Sequence, residues 1–394
     1  MRKQTLRDID VTGKRALVRV DFNVPLDDQR VILDDLRIRA ALPTIQYLRE
    51  RYARVILCSH LGRPKGEVVE SLRLAPITAR LSELLDAPVA AARDCIGPEA
   101  GAAVAKLAAG EVLLLENLRF QAEEEANEPA FAEALASLAG IFVNDAFGAA
   151  HRAHASTVGV AEHLPAVAGL LLEKEIGYLD RIVTQPQRPL GAIIGGAKIS
   201  DKMTCLRNLL GKADVLIIGG GMANTFLKAQ GQSVGDSLVE DDQLDTARAV
   251  MAEAEQRGAA LHLPIDVVVA DRFAAEAEAR IEPAGETADG WRIMDAGPRS
   301  VAAYGEALQG CRTVVWNGPL GVAEFRQFAR GSESLAKLVA SLDAVTIVGG
   351  GETVALVREA GLDDKFDHVS TGGGAFLEYL EGRELPGIAA LDDA

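Results

Sequence analysis

No stretch of this 394-residue chain is apolar enough to cross a membrane: the longest apolar run, around residues 165–172, is far short of the roughly 18 residues a spanning helix needs. Basic charge is in deficit. Lys and Arg number 41 against 57 Asp and Glu, a net charge of −16, which argues against nucleic acid or an anionic membrane as the main partner, since both need clustered cations to displace counterions. A small anionic substrate is not excluded, because screening over roughly 8 Å lets a local arginine cluster set the potential of its own cleft. Cysteine is scarce. Cys58, Cys95, Cys205 and Cys311 lie far apart, with no Cys-x-x-Cys pair and no histidine at zinc-binding spacing, and read as reduced core thiols. Two glycine signatures are also missing, Gly-x-x-x-x-Gly-Lys-Ser/Thr and Gly-x-Gly-x-x-Gly, which disfavours the P-loop and the usual dinucleotide fingerprint. The opening residues, Met1-Arg2-Lys3-Gln4-Thr5-Leu6-Arg7-Asp8, are basic with no apolar stretch after them, unlike a secretory signal, so the expectation is a soluble cytoplasmic protein.

What the chain does have is hydrophobic content, 48 % of residues, enough at this length for two cores of ordinary domain size rather than one. Short apolar runs in the second half each stop at glycines: Ala192-Ile193-Ile194 at Gly195-Gly196, Leu216-Ile217-Ile218 at Gly219-Gly220-Gly221, Val345-Thr346-Ile347-Val348 at Gly349-Gly350-Gly351. Such runs read as buried parallel strands, and glycine just beyond them lets backbone N–H groups and a helix N-terminus approach an anion. The first half ends its strands differently. Leu17-Val18-Arg19-Val20 runs into Asp21-Phe22-Asn23, and Val55-Ile56-Leu57 into Ser59-His60-Leu61-Gly62-Arg63. Two different anions are expected, one bound by each half.

Segments of helical period alternate with the strands, giving βαβ units and a parallel sheet. Ile77, Leu81 and Leu84 recur at i, i+4, i+7, as do Phe131, Leu135 and Leu138, with Gly140 placed as a C-terminal stop. The best boundary is residues 173–189, a helical run through Ile176, Leu179 and Ile182 followed by Gln185-Pro186-Gln187-Arg188-Pro189, whose prolines cannot continue it. An interdomain helix is placed there. Ligands of open parallel sheets sit outside the carboxyl ends of the strands, where the polar tips and glycines fall.

In the first half, Arg19, Asp21, Asn23, Arg37, Arg39, His60, Arg63, Arg119, His151, Arg152 and His154 fall at strand ends or in the loops that follow. Guanidinium forks suit carboxylate and phosphate, while Asp21 and Asn23 suit a hydroxyl. Any one of these arginines alone could be a surface charge, but recurrence at strand after strand favours anion binding. His151 and His154 lack a third ligand and make a weak metal site. Glu123-Glu124-Glu125 would repel an anion and reads as a solvated loop or helix start with no catalytic role.

In the second half, Lys198 and Lys202 stand four apart, as on one face of a helix opening beside Gly195-Gly196. Alone the pair reads as a solvated face; beside glycine at a helix start it can reach a triphosphate. Glu352, after Gly350-Gly351 and before Thr353, is either a first-turn carboxylate favoured by the helix dipole or a group that helps hold Mg²⁺, usually bound by one or two carboxylates plus substrate phosphates. Trp316-Asn317-Gly318-Pro319 ends another strand, and Thr371-Gly372-Gly373-Gly374 supplies further backbone donors. Together these describe a nucleotide site.

The motifs Arg19-Val20-Asp21-Phe22-Asn23-Val24-Pro25, Ser59-His60-Leu61-Gly62-Arg63-Pro64-Lys65-Gly66, Asn144-Asp145-Ala146-Phe147-Gly148, Ala150-His151-Arg152-Ala153-His154, Gly195-Gly196-Ala197-Lys198 and Trp316-Asn317-Gly318-Pro319 resemble those of the phosphoglycerate kinase family, in family order and nearly end to end. The resemblance implies an α/β fold of two doubly wound, Rossmann-like parallel-sheet domains with hinge bending. Residues 1–172 would bind phosphoglycerate, 173–189 form the interdomain helix and linker, 190–377 bind nucleotide, and 378–394 return to the first domain. It implies phosphoglycerate contacts from Asp21, Asn23, Arg37, His60, Arg63, Arg119 and Arg152, with Arg19, His151 and His154 enlarging the basic patch. Lys198, Lys202, Gly220, Asn317, Glu324, Gly350, Gly351, Glu352 and Thr353 would serve the magnesium nucleotide.

The implied reaction moves a phosphoryl group in line between 1,3-bisphosphoglycerate and ADP, giving 3-phosphoglycerate and ATP, with Mg²⁺ as cofactor, hinge closure, and no nucleic acid or membrane partner. Arg37, Lys198 and Lys202 would neutralise the transferring group, with backbone support from Gly372, Gly373 and Gly374; a monomer is expected. Four positions depart from the family: Glu352 for aspartate, Ala149 for threonine, Ala323 for phenylalanine and Phe376 for serine. They bear on metal geometry and nucleotide affinity. Two rivals stay open, a nicotinamide-dependent oxidoreductase on the same architecture, and a nucleotide-binding interaction protein that has lost catalysis.

Overall fold

Continuous β-branched runs form strands buried on both faces, as parallel sheets covered by helices require. The computed structural model describes residues 2–394. Contacts divide the chain into two units, Met1–Gly177 with Glu384–Ala394, and Tyr178–Arg383.

The first unit carries β1 (Arg15–Arg19), β2 (Arg54–Cys58), β3 (Val89–Ala91), β4 (Val112–Leu114), β5 (Ile141–Asn144) and β6 (Ala166–Ala168), all parallel, in the order β3-β4-β2-β1-β5-β6. Helices α1 (Leu36–Glu50), α2 (Ala75–Leu85), α3 (Gly97–Lys106), α4 (Ala122–Ala126) and α5 (Pro129–Ala136) lie between the strands, and α6 (Leu170–Val183) follows them. Val18, Val20, Val55, Leu57, Val112 and Val143 pack with Ile38, Ile45, Ile77 and Leu81 of α1 and α2 into one core.

The second unit repeats the plan. Its strands are β7 (Leu190–Ile194), β8 (Val215–Ile218), β9 (Ser233–Val234), β10 (Ala260–His262), β11 (Asp266–Ala270), β12 (Ala279–Pro283), β13 (Glu286–Thr287), β14 (Arg292–Ala296), β15 (Thr313–Asn317), β16 (Val345–Gly349) and β17 (His368–Val369). The main sheet is parallel, ordered β10-β8-β7-β15-β16-β17, with β12-β11-β14 as a small antiparallel sheet beside it. Its helices are α7 (Met203–Leu210), α8 (Gly221–Ala229), α9 (Leu244–Arg257), α10 (Pro298–Leu308), α11 (Arg330–Val339), α12 (Gly351–Glu359) and α13 (Gly374–Leu380). The buried Trp316 anchors its core among Ile193, Ile217, Val314, Tyr304 and Leu335. In each unit the strand order reverses beside the first strand, between β1 and β5 and between β7 and β15, and such switch points are where open sheets bind ligands.

Local details differ from the periodicity reading. α5 stops at Ala136, so Leu138 is buried from the turn beyond it and Gly140 caps nothing. In α2 the third inward position is Leu85 rather than the half-buried Leu84. All four cysteines are buried and free. Among the described residues no helix is long and apolar enough to cross a membrane.

The division between units falls within α6, after Gly177. Its start is capped by Asp145, the residue after β5, whose Oδ1 accepts from Leu171 N at 2.9 Å and Leu172 N at 3.3 Å. Gly169 is required there, since a Cβ would lie 2.1 Å from that oxygen. Residues 378–383 stay with the second unit, and the returning piece is Glu384–Ala394, with α14 (Pro386–Ala389). It is tied at both ends: Lys3 Nζ donates to Leu391 O at 2.8 Å, and Asn144 Nδ2 to Gly387 O at 2.9 Å.

Full burial pushes the Asp145 carboxyl up to about 7. An unfolded aspartate titrates near about 3.9, so between about pH 4 and 7 the folded state holds the extra proton and loses stability as pH rises. Asp145→Asn keeps the Oδ1 acceptor and has no proton to lose. Denaturant midpoints measured across this window should shift toward the variant by up to about 1.4 kcal/mol per pH unit; a gap independent of pH would contradict the assignment.

Candidate active site

At the carboxyl ends of β1 and β2, the side chains knit the following loops together before any ligand is considered. Ser59 Oγ accepts from Phe22 N at 2.9 Å, Asn23 Oδ1 accepts from Gly62 N at 2.9 Å, and Asn117 accepts from Leu61 N at 3.2 Å and Arg119 N at 3.1 Å. On this frame stand the cations. Arg37 Nη1 lies 3.0 Å from Asp21 Oδ2 and donates to Asn23 O at 3.0 Å. Arg119, almost fully buried, donates from Nη1 to Gly62 O at 2.8 Å. Arg152 Nε donates to His151 Nε2 at 3.2 Å. Arg63 is exposed on the loop after β2.

Arg19, the last residue of β1, is 1 % exposed. Its Nε donates to Ser156 Oγ at 2.7 Å and its Nη2 to His60 Nδ1 at 3.1 Å. Guanidinium has no acceptor, so Nδ1 of His60 must be the unprotonated nitrogen and Nε2 carries the hydrogen. Burial, then the charges of Arg19, Arg119, Arg37 and Arg152, hold this imidazole well below the ordinary histidine range. Burial, then the charges of Arg119, Arg19, Arg152 and His151, push His154 down to about 4.

The acidic run corrects the sequence reading. Glu124 is fully buried in α4, where its Oε2 accepts from Ser156 N at 2.9 Å and its Oε1 from Ser156 Oγ at 2.5 Å. Glu125 Oε1 lies 3.0 Å from Arg119 Nε. A run of three glutamates in sequence reads as solvated because nothing local shows that Ser156, 32 residues on, folds over the middle one. Ser156 was missed for the same reason; a serine two residues past His154 carries no signal of its own.

In the second unit the loops after β7, β8, β15 and β16 meet. Gly195 and Gly318 let them touch: a Cβ on Gly195 would lie 2.0 Å from Pro319 O, and one on Gly318 2.2 Å from Gly195 O. Gly220 N is engaged by Leu320 O at 2.9 Å, so its part is to close this packing. Asn317 sits at the centre. Its Nδ2 donates to Gly349 O at 3.2 Å, its Oδ1 accepts from Lys202 Nζ, and Thr353 Oγ1 accepts from Gly318 N at 2.8 Å. Gly350 precedes α12 as its cap, while Gly351 and Gly373 face open space.

The lysines do not share a helix face. Lys198 is exposed in the loop after β7, and Lys202 ends a short 3₁₀ turn, Ser200–Lys202, just before α7. Residues 195–199 stay in loop conformation because they pack on the other loops. Burial lowers the Lys202 ammonium from its ordinary range, and Glu352 is among the carboxylates whose charge opposes that shift. Glu352 is exposed in the first turn of α12, and Glu324 is exposed on the loop after β15. Among the described residues no three histidine, cysteine or carboxylate side chains gather as a metal site. A single open carboxylate at a helix start suits Mg²⁺ only as one oxygen in a shell that nucleotide phosphates complete.

Of the departures, Phe376 is fully buried with its ring against Gly349, where a Cβ would come within 2.5 Å of it. Ala323 packs at the edge of the second core, and Ala149 is buried in a 3₁₀ turn, Phe147–Ala149.

The phosphoglycerate kinase family profile matches residues 6–383. Over the full length of both chains, the sequence is 59 % identical to a phosphoglycerate kinase of Synechococcus elongatus and 58 % identical to one of Moorella thermoacetica. The fold superposes on phosphoglycerate kinase structures from Coxiella burnetii (42 % identity) and Pyrococcus horikoshii (33 % identity), each with a TM-score of 0.87 over 98 % of both chains.

Since His60 and His154 are both held neutral, neither ring should titrate between about pH 6 and 8. Unfolded histidine titrates near 6.5, so the unfolded state takes up these protons first, and stability is lost as pH falls from about 6.5 towards 4. Imidazole resonances followed by NMR test this; a midpoint near pH 6.5 at either ring would contradict it.

Proposed function

The chain belongs to the phosphoglycerate kinase family, and from that membership we propose how its residues divide the transfer of a phosphoryl group between 1,3-bisphosphoglycerate and ADP. It is a phosphotransferase of glycolysis, with a carboxyl group as acceptor in the direction that consumes ATP. The first unit binds phosphoglycerate. What carries this reading is the gathering of Arg19, Arg119, Arg37 and Arg152 about one buried histidine, His60, whose Nδ1 lies 3.1 Å from Arg19 Nη2 and which burial first, then the charges of all four, holds neutral. An anion is the ligand that such a cluster lacks. Asp21 and Asn23 take a hydroxyl of the substrate, Arg63 and His151 extend the patch, and His60 donates from Nε2.

The second unit binds the nucleotide. Lys198 and Lys202 face its phosphates, Asn317 holds Lys202 in place, and Gly220, Glu324, Gly350, Gly351 and Thr353 complete the surface. Glu352 would hold Mg²⁺, directly or through water, together with the nucleotide phosphates; its extra methylene relative to aspartate lengthens that reach. When bound, the ion offsets negative charge on the β- and γ-phosphates.

The nucleophile is a carboxylate in one direction and a phosphate of ADP in the other, both already ionised at neutral pH. No general base is needed. The work of the side chains is to orient the reactants and neutralise charge on the transferring group: Arg37 from the substrate side, Lys198 and Lys202 from the nucleotide side, and the N–H groups of Gly372, Gly373 and Gly374 as backbone support. Transfer is in line, and two ligands carried by different units react only when the units bring them together. We read hinge closure in the segment 173–189 as that step, with exclusion of water from the phosphoryl group. The protein works in the cytoplasm as a monomer, without nucleic acid or membrane partners.

Steady-state turnover tests the assignments. Arg37→Ala, Lys198→Ala and Lys202→Ala should each lose about 10²–10³ in kcat, with an unchanged melting temperature; turnover like wild type in any of them removes that residue from the mechanism. For closure, small-angle scattering should give a smaller radius of gyration with 3-phosphoglycerate and a nonreactive Mg-nucleotide together than with either alone. An unchanged radius would count against it.

A further inference from the structure

We propose that Glu124 is a positioning residue of the phosphoglycerate patch: acting through Ser156, it fixes the guanidinium of Arg19 and, through Arg19, the tautomer of His60. The inference rests on the reading that this patch holds phosphoglycerate.

The chemistry of the two ends fixes the sense of the relay. Burial raises the pKa of the Glu124 carboxyl, and the charge of Arg19 with the two Ser156 donors opposes that rise; a guanidinium only donates, so Ser156 Oγ accepts from Arg19 Nε at 2.7 Å, and with Glu124 ionised the single hydroxyl proton of Ser156 goes to Oε1 at 2.5 Å. Glu124 also accepts from Ser156 N at 2.9 Å, which removes the freedom of the loop to carry the hydroxyl elsewhere. Arg19, with Nε thus held, directs Nη2 at His60 Nδ1, 3.1 Å away. His60 then carries its hydrogen on Nε2.

Without the relay Arg19 keeps Val20 O as acceptor for Nη1 but loses the acceptor of Nε, so the guanidinium can turn about that remaining contact and the imidazole is free to take the other tautomer. That tautomer turns a lone pair toward the anion, and repels it. Glu124 touches neither ligand nor reacting atom and is itself completely buried. The other ionisable groups whose charges reach it are Arg19, Arg119 and His154, the last 3.8 Å from Oε1. A carboxylate whose only task was to cap or solubilise α4 would have no reason to be enclosed with an arginine and a serine from distant parts of the chain.

Two variants separate the parts: Glu124→Gln keeps the size and removes the charge, and Ser156→Ala removes the hydroxyl and keeps the charge. Each is expected to raise KM for 3-phosphoglycerate about tenfold, the scale of one charge-assisted hydrogen bond, while KM for Mg-ATP stays within about twofold of wild type. Heteronuclear NMR of the imidazole nitrogens should show Nδ1 unprotonated and Nε2 protonated in wild type, and a mixture of tautomers in both variants. If Glu124→Gln does not fold, Ser156→Ala decides alone. A KM for 3-phosphoglycerate unchanged or lowered in Ser156→Ala, or a His60 tautomer unchanged, overturns the proposal. Arg119→Ala is measured beside them. If it raises KM for 3-phosphoglycerate and the relay variants do not, the relay alone is wrong; if it too leaves KM unchanged, the patch is not the phosphoglycerate site and the relay falls with it.

Discussion

Mutual repulsion among like charges is the constraint that the first unit is built around. Arg19, Arg37, Arg119 and Arg152 all act on His60, and none can give up its proton to ease the crowding. Each must therefore be held by something fixed. Asp21 holds Arg37, Glu125 and the carbonyl of Gly62 hold Arg119, Ser156 with Glu124 holds Arg19, and the ring of His151 holds Arg152. The acidic composition of the chain as a whole thus coexists with a locally positive patch, in which Asp21 and Glu124 serve as buried counter-charges and Glu125 as an exposed one.

The second unit solves a different problem. Its loops come close to one another, and side chains at the contact would prevent it. Gly195 and Gly318 meet almost atom on atom, and Gly349 lies flat beneath Phe376. Several of the glycines that mark the strand ends therefore serve loop-to-loop packing and only indirectly the ligand. Seen this way, Phe376 is a core residue whose place depends on Gly349, and the departure from serine at that position adds apolar packing beneath the site rather than obstructing it.

Much of this was legible in the sequence. Runs such as Val55-Ile56-Leu57 announce strands because burial on both faces demands unbroken apolar character, and the residues just past them come together because a parallel sheet gathers its carboxyl ends on one edge. Four-residue spacing was a poorer guide. Lys198 and Lys202 fit a helical face, yet the segment between them is held in a loop by contacts with other strand ends, which no local pattern records. The same limit explains Glu124: its charge and its neighbours in sequence say surface, while its environment is made by Ser156 and Arg19, brought from either side of it by the sheet. α5 ended early because Ser137 could turn the chain and still leave Leu138 buried.

The tail that returns to the first unit makes the second unit an insertion in covalent terms. Glu384–Ala394 supplies a bridge to Lys3 and a carbonyl to Asn144, beside the cap of α6, and Gly387 N donates to Ala150 O at 2.8 Å, next to the His151-Arg152 segment. While the chain is being synthesised, the inserted unit, residues 178–383, emerges whole and can fold at once. The first unit, although made earlier, waits for its last eleven residues, Glu384–Ala394, to close. Order of synthesis and order of completion are therefore reversed: the nascent chain can complete its second unit before the arginine-rich loops of the first are braced by the tail.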